Sequence, residues 1–459
     1  MMDSFSCLAS LMQAPRDSSS IVAFDHHSQI AWPQFQQHVA SQAQFLQLQS
    51  GQRVALCFGN SYLFAVHFFA SCYAGKVIVL PGNYQPEAVR ELSAHYDVLL
   101  HDNVIAPADQ INRVLINQDS LAQCKLSGEF AWTALSTEAI ELTLFTSGSS
   151  GKAKAISKSL QQLNSEICLL ESLWGEKMAG SRIESTVSHQ HIYGLLFRLL
   201  WPLCAGRPFA IHNLEFPEQV THRAHQDCVL ISSPALLKRL SEEHNSAPLR
   251  CLFSSGGPLS TNAAQHSQTL FGHLPIEVFG STETGGIAYR QQQTAATPWR
   301  LFPNIEADLN REQCLRLRAE HIDGNNWYQT ADACHFHDTV HFDLKGRTDR
   351  IIKIEEKRVS LVEVEKRLEQ LEWIEESAVV AMMDGNRLSL CAVIVVTTLG
   401  EAQLAELGKG KFWLALRQAL RGWLEPIAIP RKYRIVDEIP LNSQGKRLVA
   451  EIEQHFQAE

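Results

Sequence analysis

The chain has 459 residues, 45% of them hydrophobic and 19% charged, with a formal net charge of -9. That length exceeds what one hydrophobic core serves, so a large domain plus a smaller one is expected, and the apolar content excludes a disordered chain. The acidic balance argues against nucleic acid as a partner.

Eleven cysteines are scattered with no C-x-x-C pair, which fits free thiols packing as small hydrophobes in a reducing cytoplasm. The opening MMDSFSCLASLMQ has an acidic residue and no basic run, so it does not read as a secretory signal. From 54 to 102, short β-rich runs (RVALCF, KVIVLPGN, YDVLLHD) alternate with helical ones (SYLFAVHFFASCYAG, PEAVRELSAH), the rhythm of βαβ units and a parallel sheet. The most membrane-like stretch, 62–80, contains His67 and Lys76 and breaks at Gly75, as a buried helix followed by a strand would. No stable membrane insertion is expected.

Residues 144–158 read LFTSGSSGKAKAISK, a hydroxyl- and glycine-rich loop after a short apolar run. Thr146, Ser147, Ser149 and Ser150 supply hydroxyls, Gly148 and Gly151 let backbone N–H groups converge on an anion, and Lys152 and Lys154 add positive charge. A polyphosphate suits this chemistry. The loop is not a Walker P-loop, which needs glycine where Thr146 stands and a hydroxyl residue where Ala153 stands. A Ser/Gly-rich stretch taken alone is also compatible with a solvated surface loop.

Further β-type runs at 228–234 (CVLISSP), 249–257 (LRCLFSSGG) and 276–282 (IEVFGST) each end in small residues, where strands of open α/β sheets present ligand sites. Between 315 and 341 the texture becomes alternating and hairpin-like, as an antiparallel element closing the large domain would be. There Cys334, His335 and His337 invite a metal reading, but alternation puts both histidines on one strand face with no further ligand nearby, so a solvated strand is expected. From Gly346 a charged stretch, the amphipathic LVEVEKRLEQL and strand-like SAVVAMM and LSLCAVIVV form a small α+β unit. The expected domains are therefore 1–346 and 347–459.

In order along the chain, TSGSSGKAK (146–154), HIYG (191–194), FGSTE (279–283), WYQTAD (327–332), GRTD (346–349) and PLNSQGK (440–446) recur as one motif series. They resemble the [ST]-S-G-[ST]-T-G-x-P-K, H-x-x-G, Y-G-x-T-E, W-x-x-T-G-D, G-R-x-D and P-x-x-x-x-G-K motifs of the adenylate-forming superfamily. That superfamily comprises acyl- and aryl-CoA synthetases, luciferases and peptide-synthetase adenylation domains. Each motif alone has a bland reading: a solvated lysine, a helix cap, an exposed turn. Their order along one chain outweighs it.

The resemblance implies an α/β fold: a large N-terminal ATP- and acid-binding domain of layered, mostly parallel sheets with helices, and a small mobile α+β lid. The implied enzyme is an AMP-forming acid–thiol ligase. A carboxylate is a poor electrophile, and exchanging its oxide leaving group for AMP makes it one, at the expense of ATP. By resemblance Lys446 bridges the acid and the α-phosphate, Thr282 contacts the α-phosphate, and Glu283 holds Mg²⁺, a hard ion suited to carboxylate oxygen. Asp332 binds the ribose hydroxyls and Arg347 the sugar or phosphate, while Ser255, Gly256 and Gly257 lie against adenine and Phe279, Gly280 and Ser281 border the nucleotide. Asp349 matches the hinge about which the lid turns between two half-reactions.

His191, Tyr193, Gly194, Phe197, Gly285, Gly286 and Ile287 are the expected acid pocket. No acidic residue in VSHQHIYGLLFR is placed to neutralise an amino acid's ammonium, so an aryl acid such as a hydroxybenzoate or cinnamate is favoured, with a medium-chain fatty acid as the alternative. Departures from the motifs are modest at Ala153, Ala331 and Phe279. Glu356 stands where the family usually has a tunnel-lining glycine, and Leu361 where it often has proline. A glutamate there crowds pantetheine and favours an acyl carrier protein over free CoA as the thiol acceptor. The I-E-E-K-R-V run also resembles small ligases of aryl polyene lipid synthesis. A non-catalytic nucleotide- or carrier-binding relative is the other reading, against which Glu283, Asp332 and Lys446 stand intact.

Overall fold

The computed structural model describes residues 5–82, 86–102, 113–116, 121, 128–147, 153–241, 247–324, 326–354, 357–384, 387–421, 423–424, 426–442 and 446–457. The chain divides into two compact units, one of residues 1–306 with 318–328 and the other of 307–317 with 329–459.

Two sheets organise the first unit. In one, strands run in the order Arg113–Leu115, Val98–His101, Arg53–Cys57, Val77–Leu80, Glu141–Ser147, Ala153–Ser159. All neighbours are parallel except the last two, which form an antiparallel pair with Thr146 opposite Lys154. In the other, the centre is parallel: Ile276–Ser281, Cys251–Ser254, Cys228–Ser232, Arg182–Ser185, Phe209–Ala210 and Ile21–Phe24, in that order. Gly285–Arg290 and Trp299–Leu301 continue it antiparallel beyond the first of these strands, and Gln29–Ala31 beyond the last. The mostly parallel, helix-covered α/β architecture is the one the βαβ rhythm predicts.

The membrane-like stretch is the helix Ser61–Tyr73, buried at every position from Ser61 to Cys72. Its all-round apolar surface is satisfied because its core cluster draws on both sheets, with Val54 and Leu56 from one and Ile183 and Ile231 from the other. Asn60 caps it by accepting the amides of Tyr62 and Leu63 at 2.9 and 3.0 Å. Among the described residues no helix is long and apolar enough to cross a membrane, and every described cysteine is a free thiol.

The helix Leu160–Trp174 begins with a reciprocal cap, Ser159 Oγ accepting the Gln162 amide and the Gln162 side chain accepting that of Ser159. Leu160, Leu163, Ile167, Leu170 and Trp174 make its buried stripe, and Glu166 falls on that same stripe. Trp174 ends the helix edge-on to Phe253, Tyr289 and Phe302, at ring-centre distances of 5.1, 5.4 and 5.8 Å, so one indole ties the helix to three segments of the larger sheet.

The second unit opens with strands Cys314–Arg318, Tyr328–Phe336 and His341–Arg347, the last two antiparallel. By compactness these strands are counted mainly with the second unit, although the alternating texture reads as a closing element of the large domain. The packing explains it: Gly346 lies against Val362 on the helix Leu361–Glu369. Next come the pair Ile351–Ile354 and Lys357–Ser360, then a sheet in which Arg387–Val396 pairs antiparallel with Ile374–Asp384 and parallel with Lys432–Ile435. Val364, Leu368, Ile394, Phe412 and Leu416 fill the core between sheet and helices.

Trp174→Ala should cost roughly 3–5 kcal/mol, the range for deleting a large buried aromatic. Urea unfolding of the variant against wild type measures it, and a loss below 1 kcal/mol would show that the aromatic cluster does not hold this helix.

Candidate active site

Strands Arg182–Ser185, Cys228–Ser232, Cys251–Ser254 and Ile276–Ser281 are parallel neighbours, so their C-terminal ends share one edge of the sheet. From that edge leave three predicted segments: 186–194 with His191, Tyr193 and Gly194; 255–257; and the turn 282–284 with Thr282 and Glu283. Ser255 Oγ donates to the Val278 carbonyl at 2.8 Å, binding the Ser255–Gly257 bend to the strand that carries Phe279, Gly280 and Ser281.

The turn is closed by side chains of its own. The Ser281 and Thr284 hydroxyls lie 3.1 Å apart, and each accepts the other residue's amide. Gly280 pairs with Gly286, and a side chain on Gly280 would collide with the Gly285 carbonyl. Gly285 has φ +68°, and a Cβ there would strike the Glu166 carboxylate. Ile287 is buried beside them. Phe279, half-buried, packs on Trp299 at 5.4 Å, and the Arg290 guanidinium covers that ring while pairing with Glu277.

Lys154 and Glu283, 129 residues apart, meet: Lys154 Nζ donates to Glu283 Oε1 at 2.7 Å. Burial works against the charge on Glu283, but the hydrogen bond from Lys154 holds its carboxyl below the usual range. The phosphate-loop motif thus spans two antiparallel strands, Thr146 on one and Lys154 on the other, unlike a Walker loop that opens a helix. Gly148, Ser149, Ser150, Gly151 and Lys152 lie outside the described residues, as does the side chain of Ser147.

Of the expected acid-pocket residues, Tyr193 packs on Phe197 at 4.9 Å. Phe197 is fully buried among Trp201 and Phe253, a core position as much as a lining one. His191 is half-buried at the start of the short helix Ile192–Gly194.

In the second unit, Asp332 and Arg347 stand opposite each other in the antiparallel pair, with Arg347 Nη1 3.4 Å from Asp332 Oδ1. The Thr330 hydroxyl accepts the Asp332 amide at 3.0 Å and donates to the Leu315 carbonyl at 2.9 Å, which accounts for the threonine of that motif. Lys446 is exposed on a turn closed by Asn442, whose Oδ1 accepts the Lys446 amide and whose own amide donates to the Lys446 carbonyl. Backbone of Asp349 belongs to the turn Thr348–Arg350; its side chain, and all of Glu356, lie outside the described residues. Leu361 is the buried first residue of its helix. His337, just past the strand, pairs with Asp343 at 3.0 Å, and His335 and His337 are both exposed.

Two charged clusters belong to none of the motifs. Glu365 is buried and receives Arg350 through both carboxylate oxygens, at 2.8 and 2.6 Å, and Arg447 at 2.7 Å, so one carboxylate anchors the neighbours of Asp349 and Lys446. Behind the 281–286 turn, Lys158 Nζ donates to the Glu283 carbonyl at 2.6 Å, Glu166 Oε1 accepts the Gly286 amide at 2.7 Å, and His321 Nε2 lies 3.0 Å from the Gly286 carbonyl. Burial dominates their titration. It pushes Glu166 up to about 7 despite the Gly286 amide and Lys158, lowers Lys158, and lowers His321 to about 4.

Comparison with known proteins identifies the fold and the family. The fold is that of the acid-activating ligases: the ATP-bound crystal structure of MatB from Rhodopseudomonas palustris superposes with a TM-score of 0.81 at 18% identity, over 98% of each chain. A benzoate CoA ligase from Burkholderia xenovorans LB400 gives 0.78 at 18% identity, over 97% of this chain and 99% of that one. Residues 11–315 match the AMP-binding enzyme family and 363–446 the AMP-binding enzyme C-terminal domain. A 4-coumarate–CoA ligase of Rhodobacter capsulatus is 27% identical over 324 residues, 70% of this chain and 78% of the relative; one from Halorhodospira halophila is 28% identical over 316, 66% and 74%. The chain belongs to the AMP-binding enzyme family and is an AMP-forming acid–thiol ligase.

Glu365→Ala would strand two guanidiniums. Its cost is expected at or below the roughly 3–5 kcal/mol of a broken buried pair, because both arginines keep partial solvation; denaturant unfolding measures it. Glu166, raised above its unfolded value, binds protons on folding, so its contribution is present at low pH and lost as pH rises from about 4.5 through 7. Melting temperatures of wild type should therefore fall relative to Glu166→Gln across that window, and parallel profiles would refute the assignment. Lys158 is the charged neighbour of Glu166, and Glu283 and Asp323 in turn act on Lys158.

Proposed function

We propose that this chain activates an aryl carboxylic acid, a hydroxybenzoate or cinnamate, as its acyl-adenylate and passes the acyl group to a phosphopantetheine thiol. The single observation that carries the reading is the Lys154–Glu283 contact, which sets an ionised carboxylate beside the phosphate-loop hairpin. A carboxylate oxygen of the acid attacks the α-phosphorus of ATP, the bond to the bridging oxygen breaks, and pyrophosphate leaves. The thiolate then attacks the acyl carbon and AMP departs.

In this reading Thr282 donates to the α-phosphate, Asp332 accepts from the ribose hydroxyls, and Arg347, beside it, adds charge to the sugar or phosphate. The loop 146–154 wraps the β- and γ-phosphates, and Ser255, Gly256 and Gly257 flank adenine. Glu283 fits a magnesium ion, which takes one or two carboxylates and fills its other positions with phosphate oxygens and water. When bound, that ion neutralises the polyphosphate. Lys446 meets the charge that develops between the acid and the α-phosphate. The lid begins at 347 and turns about Asp349, and the exposed lysine on its Asn442-closed turn suits a group that must arrive and leave.

The acid pocket is drawn from Tyr193, Ile287 and the Gly285–Gly286 segment, with no acidic side chain in 187–198 to receive an ammonium. The activities named for some of the relatives, on coumarate and benzoate, support an aryl acid. Glu356 favours an acyl carrier protein over CoA as the thiol donor.

Acid-dependent pyrophosphate exchange over a panel of aryl and fatty acids tests the reading, with the fastest exchange expected for an aryl acid. Lys446→Ala should lower it by roughly 100- to 1,000-fold, as loss of a group that stabilises transition-state charge does. Undiminished exchange in that variant, or none with any acid, would overturn the proposal. Thiol capture with CoA and with carrier proteins separates the acceptors.

A further inference from the structure

Three side chains outside every motif converge on the backbone of the turn that carries Thr282 and Glu283. Lys158 reaches the Glu283 carbonyl, Glu166 the Gly286 amide, and His321 the Gly286 carbonyl. Lys158 and Glu166 are buried, and the helical stripe on which Glu166 lies is otherwise leucine, isoleucine and tryptophan. Burying a lysine and a glutamate is unfavourable unless both are well satisfied, and apolar side chains of the same volume serve a core as well or better. The fold alone does not call for these two charges.

The turn does. Its register slips between Phe279 and Gly280 and Glu283 lies in the turn beyond the paired residues, and the Glu283 carbonyl and the Gly286 amide take side-chain partners from elsewhere. Glu283 is moreover held at both ends by lysines four residues apart on the same strand face, Lys154 on the carboxylate and Lys158 on the carbonyl. Lys154 is more than half exposed, whereas Lys158 is buried. When polyphosphate draws Lys154 away, the Lys158 contact on the carbonyl and the Ser281 hydroxyl on the carboxylate still hold this residue.

We propose that Lys158 and Glu166 are positioning residues for the metal-binding carboxylate: they lock the 282–286 backbone so that Glu283 keeps its aim when Lys154 transfers to the phosphates. This rests on the role given to Glu283 above. Lys158 stays on the Glu283 carbonyl throughout turnover, and Glu166 holds the Gly286 amide at the other end of the turn.

A double-mutant cycle tests it. Pyrophosphate exchange is measured against magnesium and against the acid for wild type, Lys158→Met, Glu166→Gln and Glu283→Gln, and for each of the first two variants combined with Glu283→Gln. Lys158→Met should raise the magnesium requirement or lower kcat by roughly 10- to 100-fold, the range for partners that orient a metal ligand, and leave the KM for the acid unchanged. On the Glu283→Gln background the same change should add less than about twofold, because the residue acts through Glu283. The near-isosteric Glu166→Gln keeps an acceptor for the Gly286 amide and should show the same non-additivity, which decides the matter where Lys158→Met does not fold. Equal fold-losses in both backgrounds overturn the inference. Wild-type exchange by Glu283→Gln alone overturns instead the role of Glu283 on which it stands.

Discussion

A lysine on an edge strand of one sheet and a carboxylate on a turn of another are brought to hydrogen-bond distance, and the proposed catalytic geometry of the first unit depends on that meeting. The pair contributes little to stability, since Lys154 is more than half solvated and exposed ion pairs are worth at most about 1 kcal/mol. Its importance is geometric. The phosphate-loop hairpin belongs to a sheet that shares no strand with the sheet ending in the Thr-Glu turn. The helix Ser61–Tyr73 and the Trp174 cluster give the two sheets one continuous core, and a rigid core is what lets two side chains 129 residues apart keep a fixed separation.

Much of this was legible in the residue pattern. The βαβ rhythm of 54–102, the parallel strands ending in small residues and the amphipathic helix at 361 all stand where periodicity places them, because each buries one regular face or is buried throughout. The strand Ala153–Ser159 was not legible. Its sequence, AKAISKS, lacks apolar alternation, and of its two buried positions one is a lysine. Glu166 and Lys158 escaped for the same reason: a charge reads as solvent-facing unless its partners are known, and those partners are backbone atoms more than a hundred residues away. The trace that could have revealed Glu166 is its place on a stripe of leucines. Asp332 and Arg347 were each found by motif, but their pairing depends on a hairpin register with a shift at Ala333, which no spacing rule supplies.

The second unit solves a related problem with a single carboxylate. Glu365 also accepts the Val379 amide at 2.8 Å, so it is fixed to the central sheet while it holds Arg350 and Arg447. The residues that directly follow the proposed pivot and the proposed catalytic lysine thereby answer to one point in the core. Lys446 itself projects from a turn secured by Asn442, so its backbone is ordered while its side chain remains exposed. A lid element needs that combination: an anchored base and a long, exposed arm.

The glycines at 280 and 285 bear on how such an enzyme could be altered. Neither position tolerates even a methyl group, one because a carbonyl fills the space and the other because the Glu166 carboxylate does. If these residues border the acid as proposed, bulk placed here would distort the turn that carries Glu283 before it reshaped the acid site. On that reading selectivity would have to evolve, or be engineered, at Tyr193 instead, and mutational libraries that leave 280–286 untouched will recover more active clones than those that randomise it.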